Sequence, residues 1–195
     1  MLKKELRSSL LKKRQSMSET EWREKSDRLC HHLQNYPLFQ KAQTVLAYFS
    51  FRQEVDLSLL FTNNRENSTA YIKNWGFPRC VKKTLSWHIW QPENYLQKSI
   101  YGILEPESNA PLLHSSEVDL ILIPAVACDL NGYRLGYGSG FYDRMLSSEE
   151  WASKPTIGIV FEFGYLQQLP IDSWDRPLNA VCTENGVKQI TYNRQ

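Results

Sequence analysis

The segment VDLILIPAVACDLNG, residues 118–132, is an almost unbroken apolar run that ends in an Asn-Gly turn. Apolar runs without polar alternation are typical of strands that are covered on both faces. A second run of this kind, PTIGIVF, occupies residues 155–161. Because strands covered on both faces occur mainly in parallel sheets flanked by helices, the two runs predict an α/β fold.

Helical patterns supply the expected flanking layers. Residues 16–37 contain a capping box, Ser18 with Glu21, followed by apolar residues at helical spacing. Residues 2–15 predict another amphipathic helix, whose basic residues Lys3, Arg7 and Arg14 fall within one narrow arc.

Shorter patterns complete the secondary structure. Residues 44–50 and 69–72 predict strands, residues 55–64 predict a short helix, and Glu184-Asn185-Gly186 predicts a hairpin turn. No repeat, low-complexity tract or linker divides the chain. We therefore expect residues 1–195 to form a single three-layer α/β/α domain with a mostly parallel central sheet.

Charge and hydropathy narrow the possible partners. A net charge of +2 is too small to imply nucleic acid or an anionic membrane as an obligatory partner. The N-terminus is charged from Lys3 onward, and the longest apolar run is too short to span a bilayer. The four cysteines are scattered, without the spacing of a disulfide scaffold or zinc site. We expect a cytoplasmic monomer that acts on small molecules.

The segment RLGYGSGFYDR, residues 134–144, predicts a glycine-rich loop between a strand and a helix, where backbone N–H groups can bind an anion. It matches neither the P-loop nor the dinucleotide-binding fingerprint. A tight turn that merely requires glycine is the alternative. Arg134 and Arg144, which can contact phosphate, and Asp143, a carboxylate suited to Mg²⁺, favour phosphate binding.

The chain resembles the 5-formyltetrahydrofolate cyclo-ligase family, also called 5,10-methenyltetrahydrofolate synthetases. The segment LILIPAVACDLNGYRLGYGSGFYDRML is similar to the family signature. Further similar segments occur in the family's order: KKELR, YFSFRQEVD, YGILEPE and QLPIDSWDRPLNAVCTE. The resemblance thus extends over nearly the whole chain, and it implies a fold like that of ribose-5-phosphate isomerase and the CoA transferases.

The resemblance implies an ATP- and Mg²⁺-dependent ring closure, in which 5-formyltetrahydrofolate becomes 5,10-methenyltetrahydrofolate with release of ADP and phosphate. In the family's scheme the formyl oxygen attacks the γ-phosphate, N10 then attacks the activated formyl carbon, and phosphate leaves. Catalysis of this kind depends on positioning and on neutralising phosphoryl charge.

The resemblance also assigns residues to roles. Arg134, Tyr142 and Asp143 would be catalytic, and Asp143 and Asp175 would bind Mg²⁺. The folate would contact Phe49, Glu54, Tyr137, Gly138, Ser139, Gly140 and Phe141. The nucleotide would contact Lys3, Lys4, Arg7, Arg134, Leu135, Gly136, Tyr137, Gly138, Ser139, Gly140, Phe141 and Tyr142.

Several alternatives remain open at this stage. Taken alone, Phe49 is a candidate core residue of a strand, Glu54 a helix-start carboxylate, and Lys3 part of a solvated helix face. The second metal position of some relatives aligns with Asn179 instead of Asp175. Some relatives also carry a lysine where this chain has Ser139.

Other functions are also compatible with parts of the pattern. A non-ligase protein of the same fold group, binding a phosphosugar or CoA, is the alternative enzyme class. A module that binds nucleotide or RNA through the basic helix is a third class. The sequence leaves open whether Trp75 and Trp90 line the folate site or the core.

Overall fold

The computed structural model describes residues 2–62 and 73–191 of the chain. The predicted strand at residues 69–72 lies outside the described residues. The helices are α1 (Lys3–Gln15), α2 (Glu19–Gln34), α3 (Pro37–Lys41), α4 (Ser58–Thr62), α5 (Phe141–Leu146) and α6 (Glu149–Ala152). None of the helices in these two ranges is long and apolar enough to cross a membrane.

In the two described ranges, twelve strands form three sheets. The strands are β1 (Thr44–Leu46), β2 (Asn74–Val81), β3 (Thr84–Ile89), β4 (Leu96–Lys98), β5 (Leu104–Pro106), β6 (Leu120–Pro124), β7 (Ala127–Asp129), β8 (Arg134–Leu135), β9 (Thr156–Ile159), β10 (Tyr165–Leu166), β11 (Ala180–Thr183) and β12 (Gly186–Gln189). The central sheet has the order β12-β11-β9-β6-β1-β2-β3. Its five inner strands are parallel, and only the edge strands β3 and β12 are antiparallel.

Helices cover both faces of this sheet, which confirms the predicted mixed α/β class. Leu120 and Leu122 of β6 face a core cluster that includes α2, α3 and α4. Ile121 and Ile123 of the same strand face a second cluster that includes α5 and α6. All four side chains are fully buried, as the apolar run predicts.

The apolar run does not form one strand, as its pattern suggests. It leaves the central sheet after Pro124 and continues as β7 in a small sheet with β8 and β10. Buried Asp129 ends β7 and accepts the N–H groups of Asn131 (3.0 Å) and Tyr133 (2.9 Å) through Oδ1. The Asn-Gly turn follows, with Gly132 at φ +84°. This carboxylate fixes the direction in which the chain enters the glycine loop.

The sequence pattern does not predict strand β2, because Gly76 and Pro78 interrupt it. Its register with β1 ends at Gly76, whereas its pairing with β3 continues to Val81. Pro78 therefore lies where β2 has a partner on one side only, which is the position that a sheet tolerates for proline.

Helix α1 packs on the small sheet instead of the central one. Leu10 is buried against Val126 and Leu135, and Leu6 packs on the same cluster. This contact turns the basic arc of α1 toward the loop that follows β8.

Candidate active site

A cavity of about 580 Å³ opens at the carboxyl ends of the inner strands. Tyr48 and Phe49 reach it from the end of β1, Pro78 and Cys80 from β2, and Pro124 from the end of β6. This edge of a parallel sheet is where α/β proteins collect ligands. The whole glycine loop, residues 134–143, forms one wall.

The loop exposes backbone because two of its glycines have conformations that other residues rarely adopt. Gly138 has φ +101° and Gly140 has φ +68°. At Gly136 a Cβ atom would lie only 2.8 Å from Nη1 of Arg134. A side chain at these positions would strain the backbone or displace the arginine, so the glycines keep the wall open.

Helix α1 brings two basic residues to the loop. Arg7 donates from Nε to the carbonyl of Gly136 at 2.6 Å, and its guanidinium lies beside Gly138. Lys3 donates to Asp172 and Asp175 at 2.6 Å each. Burial alone would lower the pKa of Lys3, but the two carboxylates outweigh it and raise the pKa.

Arg134 and Asp143 form an ion pair within the cavity wall. The Nη2–Oδ1 distance is 2.7 Å, and the arginine side chain is almost completely buried. Its Nε has no hydrogen-bond partner in the described part of the chain. The guanidinium also lies 5.3 Å from the centre of the Tyr142 ring. A buried arginine with unused hydrogen-bonding capacity is a candidate for binding an anionic ligand.

Glu54 is a buried carboxylate that also lines the cavity. It is 6% exposed, and Oε2 accepts the N–H of Phe51 at 3.1 Å. Burial raises the pKa of Glu54 to about 7, against the opposing effects of Arg14, the Phe51 N–H and Tyr137. Since α4 begins only at Ser58, Glu54 does not sit at a helix start.

Aromatic residues support the same wall. Phe49 lines the cavity and stacks on Phe77, with ring centres 4.1 Å apart and an interplanar angle of 11°. Trp75 and Trp90, whose roles the sequence leaves open, are buried in the core cluster behind Phe49. Trp90 meets the Phe49 ring edge-on at 5.1 Å. Trp90 therefore supports a cavity residue directly, whereas Trp75 packs within the core against Phe39 and Phe61.

Most residues of the predicted site come together in this cavity, although they are distant in sequence. Lys4 is exposed, and it is not among the described residues that line the wall. Asn179 lies elsewhere: its Oδ1 accepts the N–H of Thr156 at 2.9 Å. The cavity wall includes the following members of the predicted set: Lys3, Arg7, Phe49, Glu54, Arg134, Leu135, Gly136, Tyr137, Gly138, Ser139, Gly140, Phe141, Tyr142, Asp143 and Asp175.

Other wall residues were not predicted. Glu105 is 3% exposed and accepts the N–H of Cys80 at 2.9 Å. Asp172 and Trp174 stand at the mouth, where the tryptophan is 62% exposed. Glu105 lies in the three-residue strand β5, which is too short to carry a pattern of burial, so only the tertiary structure shows that this carboxylate is buried.

The carboxylates of the cavity suit a magnesium ion that is shared with a phosphate ligand. Mg²⁺ usually takes one or two protein carboxylates and completes its shell with water and phosphate oxygens. Asp143 and Asp175 both line the cavity, each beside a basic residue. Within residues 2–62 and 73–191, no cluster of three or more acidic, cysteine or histidine side chains forms a complete metal site. The residues therefore fit a metal that arrives with a phosphate, not one held by protein alone.

Comparison with curated proteins finds relatives that share one name. The chain is 27% identical over 178 residues to the 5-formyltetrahydrofolate cyclo-ligase of Haemophilus influenzae, covering 90% of this chain and 94% of that protein. It is 29% identical over 178 residues to the enzyme of the same name from Escherichia coli K12, covering 90% and 96%.

Solved structures give the same family. The NMR structure of Aquifex aeolicus 5,10-methenyltetrahydrofolate synthetase superimposes with a TM-score of 0.84 at 33% identity, covering 100% of this chain and 96% of that one. A synthetase from Mycoplasma pneumoniae, at 20% identity, shares the fold with a TM-score of 0.72, covering 94% of this chain and 99% of that one. The likeness to ribose-5-phosphate isomerase and the CoA transferases stays a prediction.

The sequence model of the 5-formyltetrahydrofolate cyclo-ligase family matches residues 1–184. With a match over nearly the whole chain, and with the signature loop forming a wall of the cavity described above, the chain belongs to the 5-formyltetrahydrofolate cyclo-ligase family.

Proposed function

We propose that the protein converts 5-formyltetrahydrofolate and ATP to 5,10-methenyltetrahydrofolate, ADP and phosphate. The observation that carries the proposal is that one cavity joins a wall suited to phosphates with a wall suited to a pterin. Tyr137 of the glycine loop connects the two walls, since its ring packs near Phe51 with centres 6.3 Å apart. Two substrates bound at these walls would meet at the loop.

The triphosphate would bind along the glycine loop and the start of α1. Exposed loop amides, Arg134 and the basic residues Lys3 and Arg7 converge there. Lys3 and Arg7 are now held by protein acceptors, so a phosphate would exchange with Asp172, Asp175 or the Gly136 carbonyl. Such contacts neutralise charge on the γ-phosphate as it is transferred.

The folate would bind with its pterin near Phe49 and Glu54. An ionised Glu54 can accept two N–H groups from an aminopyrimidine edge, which an amide cannot do. Phe49 is braced by Phe77 and Trp90, so its ring is held in place for packing against a planar group.

The chemistry then requires little from the protein beyond position. The formyl oxygen attacks the γ-phosphorus and the bond to the bridging oxygen of ADP breaks. N10 next attacks the formyl carbon, loses its proton and closes the ring as the oxygen departs with phosphate. Arg134 and the loop amides would hold the transferred phosphoryl group in line. Magnesium, bound by Asp143 and Asp175 together with phosphate oxygens, would supply further charge neutralisation.

We also propose a single domain, residues 1–195, that works as a monomer in the cytoplasm without a nucleic-acid partner. One chain alone supplies all the residues of the cavity wall. The four cysteines are free thiols, which suits a reducing compartment. The net charge of +2 gives little attraction for nucleic acid.

Mixing the purified protein with MgATP and 5-formyltetrahydrofolate should produce the near-ultraviolet absorbance of the methenyl product. One phosphate should appear per methenyl group, and EDTA should stop both. Product that forms without ATP, or phosphate release without ring closure, would contradict the proposal. A phosphosugar- or CoA-binding protein would give neither signal.

The metal assignment is tested by Asp143→Asn in the same assay. Because an amide is a weaker ligand for a hard cation, the Mg²⁺ concentration for half-maximal rate should rise roughly 10-fold or more. Asp175→Asn should give a rise in the same direction. If neither substitution changes the magnesium dependence, the metal does not bind where we propose.

Glu54→Gln should have opposite effects on folate binding and on the stability of the ligand-free protein. Loss of the charge should weaken 5-formyltetrahydrofolate binding by about 1–3 kcal/mol. The pKa of Glu54 is raised from 4.5 to about 7 on folding, so the folded protein loses stability as the pH rises from about 4.5 to about 7, and the loss is complete above that range.

The glutamine should therefore stabilise the free protein, by about 1–3 kcal/mol at roughly pH 8 and by little near pH 5. Urea unfolding at both pH values measures this difference. Glu24→Gln, an exposed position on α2, is the control and should show no such trend. Reduced stability at both pH values would mean that Glu54 is structural.

A further inference from the structure

Arg14, in the last turn of α1, is 3% exposed, which is unusual for an arginine. It belongs to the same helical arc as Lys3 and Arg7, yet it does not line the part of the cavity that they reach. Burying a guanidinium is costly unless its hydrogen bonds are satisfied. The hydrogen-bond partners of Arg14 therefore indicate its role.

Arg14 bonds to two different segments of the site. Its Nε donates to the carbonyl of Arg52 at 3.1 Å. Its Nη2 donates to the hydroxyl of Tyr137, and the guanidinium lies 5.5 Å from the centre of that ring. The hydroxyl of Tyr137 lies 3.4 Å from the carbonyl of Phe51. One side chain thus joins α1, the glycine loop and the turn at residues 51–54.

The turn at residues 51–54 needs such support. Arg52 and Gln53 have φ +48° and +54°, so two successive residues with side chains occupy the left-handed region. This conformation is unfavourable for residues with side chains and persists only where surrounding contacts hold it. Two further bonds hold the turn: Gln53 Nε2 donates to the carbonyl of Met17 (3.1 Å), and Trp22 Nε1 of α2 donates to the carbonyl of Glu54 (2.7 Å).

The turn places Glu54, and Arg14 is the cation that acts on it. The other groups that face Glu54 are the N–H of Phe51, the hydroxyl of Tyr137 and two phenols, Tyr48 just after β1 and Tyr142 of α5. Burial raises the pKa of Glu54, and the charge of Arg14 is the largest effect opposing that rise. Arg14 therefore both holds the carboxylate in place and favours its ionised form.

We propose that Arg14 is a positioning residue for folate: it clamps the turn at residues 51–54 to the glycine loop so that an ionised Glu54 faces the pterin. The proposal rests on the folate-binding function proposed above. It assigns different roles to the two ends of α1. Lys3 and Arg7 bind the nucleotide, and Arg14 positions Glu54 and Tyr137 for folate binding.

The test compares Arg14→Met, Arg14→Lys and the control Lys12→Met, an exposed position of the same helix. Binding of 5-formyltetrahydrofolate and of ATP is measured by calorimetry across pH. Arg14→Met should weaken folate binding roughly 10-fold or more while changing ATP binding about 2-fold at most. Its pH midpoint for folate binding should move upward, because an ionised Glu54 is harder to form without the cation.

Arg14→Lys keeps the charge but loses the planar guanidinium, which donates to both the Arg52 carbonyl and the Tyr137 hydroxyl. Folate affinity should therefore fall with little change in the pH midpoint of folate binding. If Arg14→Met does not fold, Arg14→Lys decides alone: wild-type folate affinity would overturn the proposal. Equal losses for both substrates, or an unchanged midpoint in Arg14→Met, would also overturn it.

Amide hydrogen exchange in the ligand-free protein separates this proposal from the proposed function. Arg14→Met should speed exchange of the Glu54 amide, which bonds to the carbonyl of Phe51, by roughly 10-fold or more relative to α2. Unchanged exchange there would refute the clamp even in a protein that binds folate. A wild-type protein that does not bind folate would refute the proposed function. The exchange rates of Arg14→Met would still show whether Arg14 holds the turn at residues 51–54.

Discussion

The architecture of the site depends on hydrogen bonds between arginines of one helix and backbone carbonyls outside regular structure. Arg7 bonds to the carbonyl of Gly136 in the glycine loop, and Arg14 bonds to that of Arg52 in the left-handed turn. Carbonyls in such segments have no strand or helix partner, and buried ones require a donor. Since α1 packs through Leu10 on the small sheet, these bonds fix the helix as a wall of the cavity.

Two basic residues of the cavity, Lys3 and Arg134, are paired with carboxylates before any ligand binds. Lys3 is held by Asp172 and Asp175, and Arg134 by Asp143. Paired charges cost less to bury than isolated ones, and they remain oriented toward the place where phosphate and metal would bind. Glu54 differs, because Arg14, the cation that acts on it, also donates a hydrogen bond to the backbone carbonyl of Arg52. The pKa of Glu54 is raised because the charge of Arg14 offsets only part of the effect of burial.

Much of the fold could be predicted because its strongest signals are local. The apolar runs identify the buried strands, Ser18 caps α2 as its spacing predicts, and the hairpin at Gly186 is where its turn residues indicate. What sequence patterns missed depends on tertiary context. β2 contains a proline that is tolerated only because β1 ends beside it, and the apolar run changes sheets after Pro124.

In the site, too, features with a local sequence signal could be predicted, whereas features that depend on tertiary contacts could not. The glycine loop and the residues of α1 could be predicted because a specific motif carries them. The burial of Glu105, the clamp at Arg14 and the core position of Trp75 depend on which segments meet in space. Arg14 did lie in the predicted basic arc, yet helical periodicity alone does not show that one arginine of that arc turns inward.

Isothermal calorimetry of ATP binding to Arg7→Ala tests the central claim most directly, namely that α1 completes the nucleotide site. Lys12→Ala, which removes the same charge from an exposed position of the same helix, is the matched control. Arg7→Ala should weaken ATP binding by about 1–3 kcal/mol, with folate affinity and the unfolding midpoint nearly unchanged. Equal ATP affinity in the two variants would mean that α1 covers the cavity without binding the nucleotide.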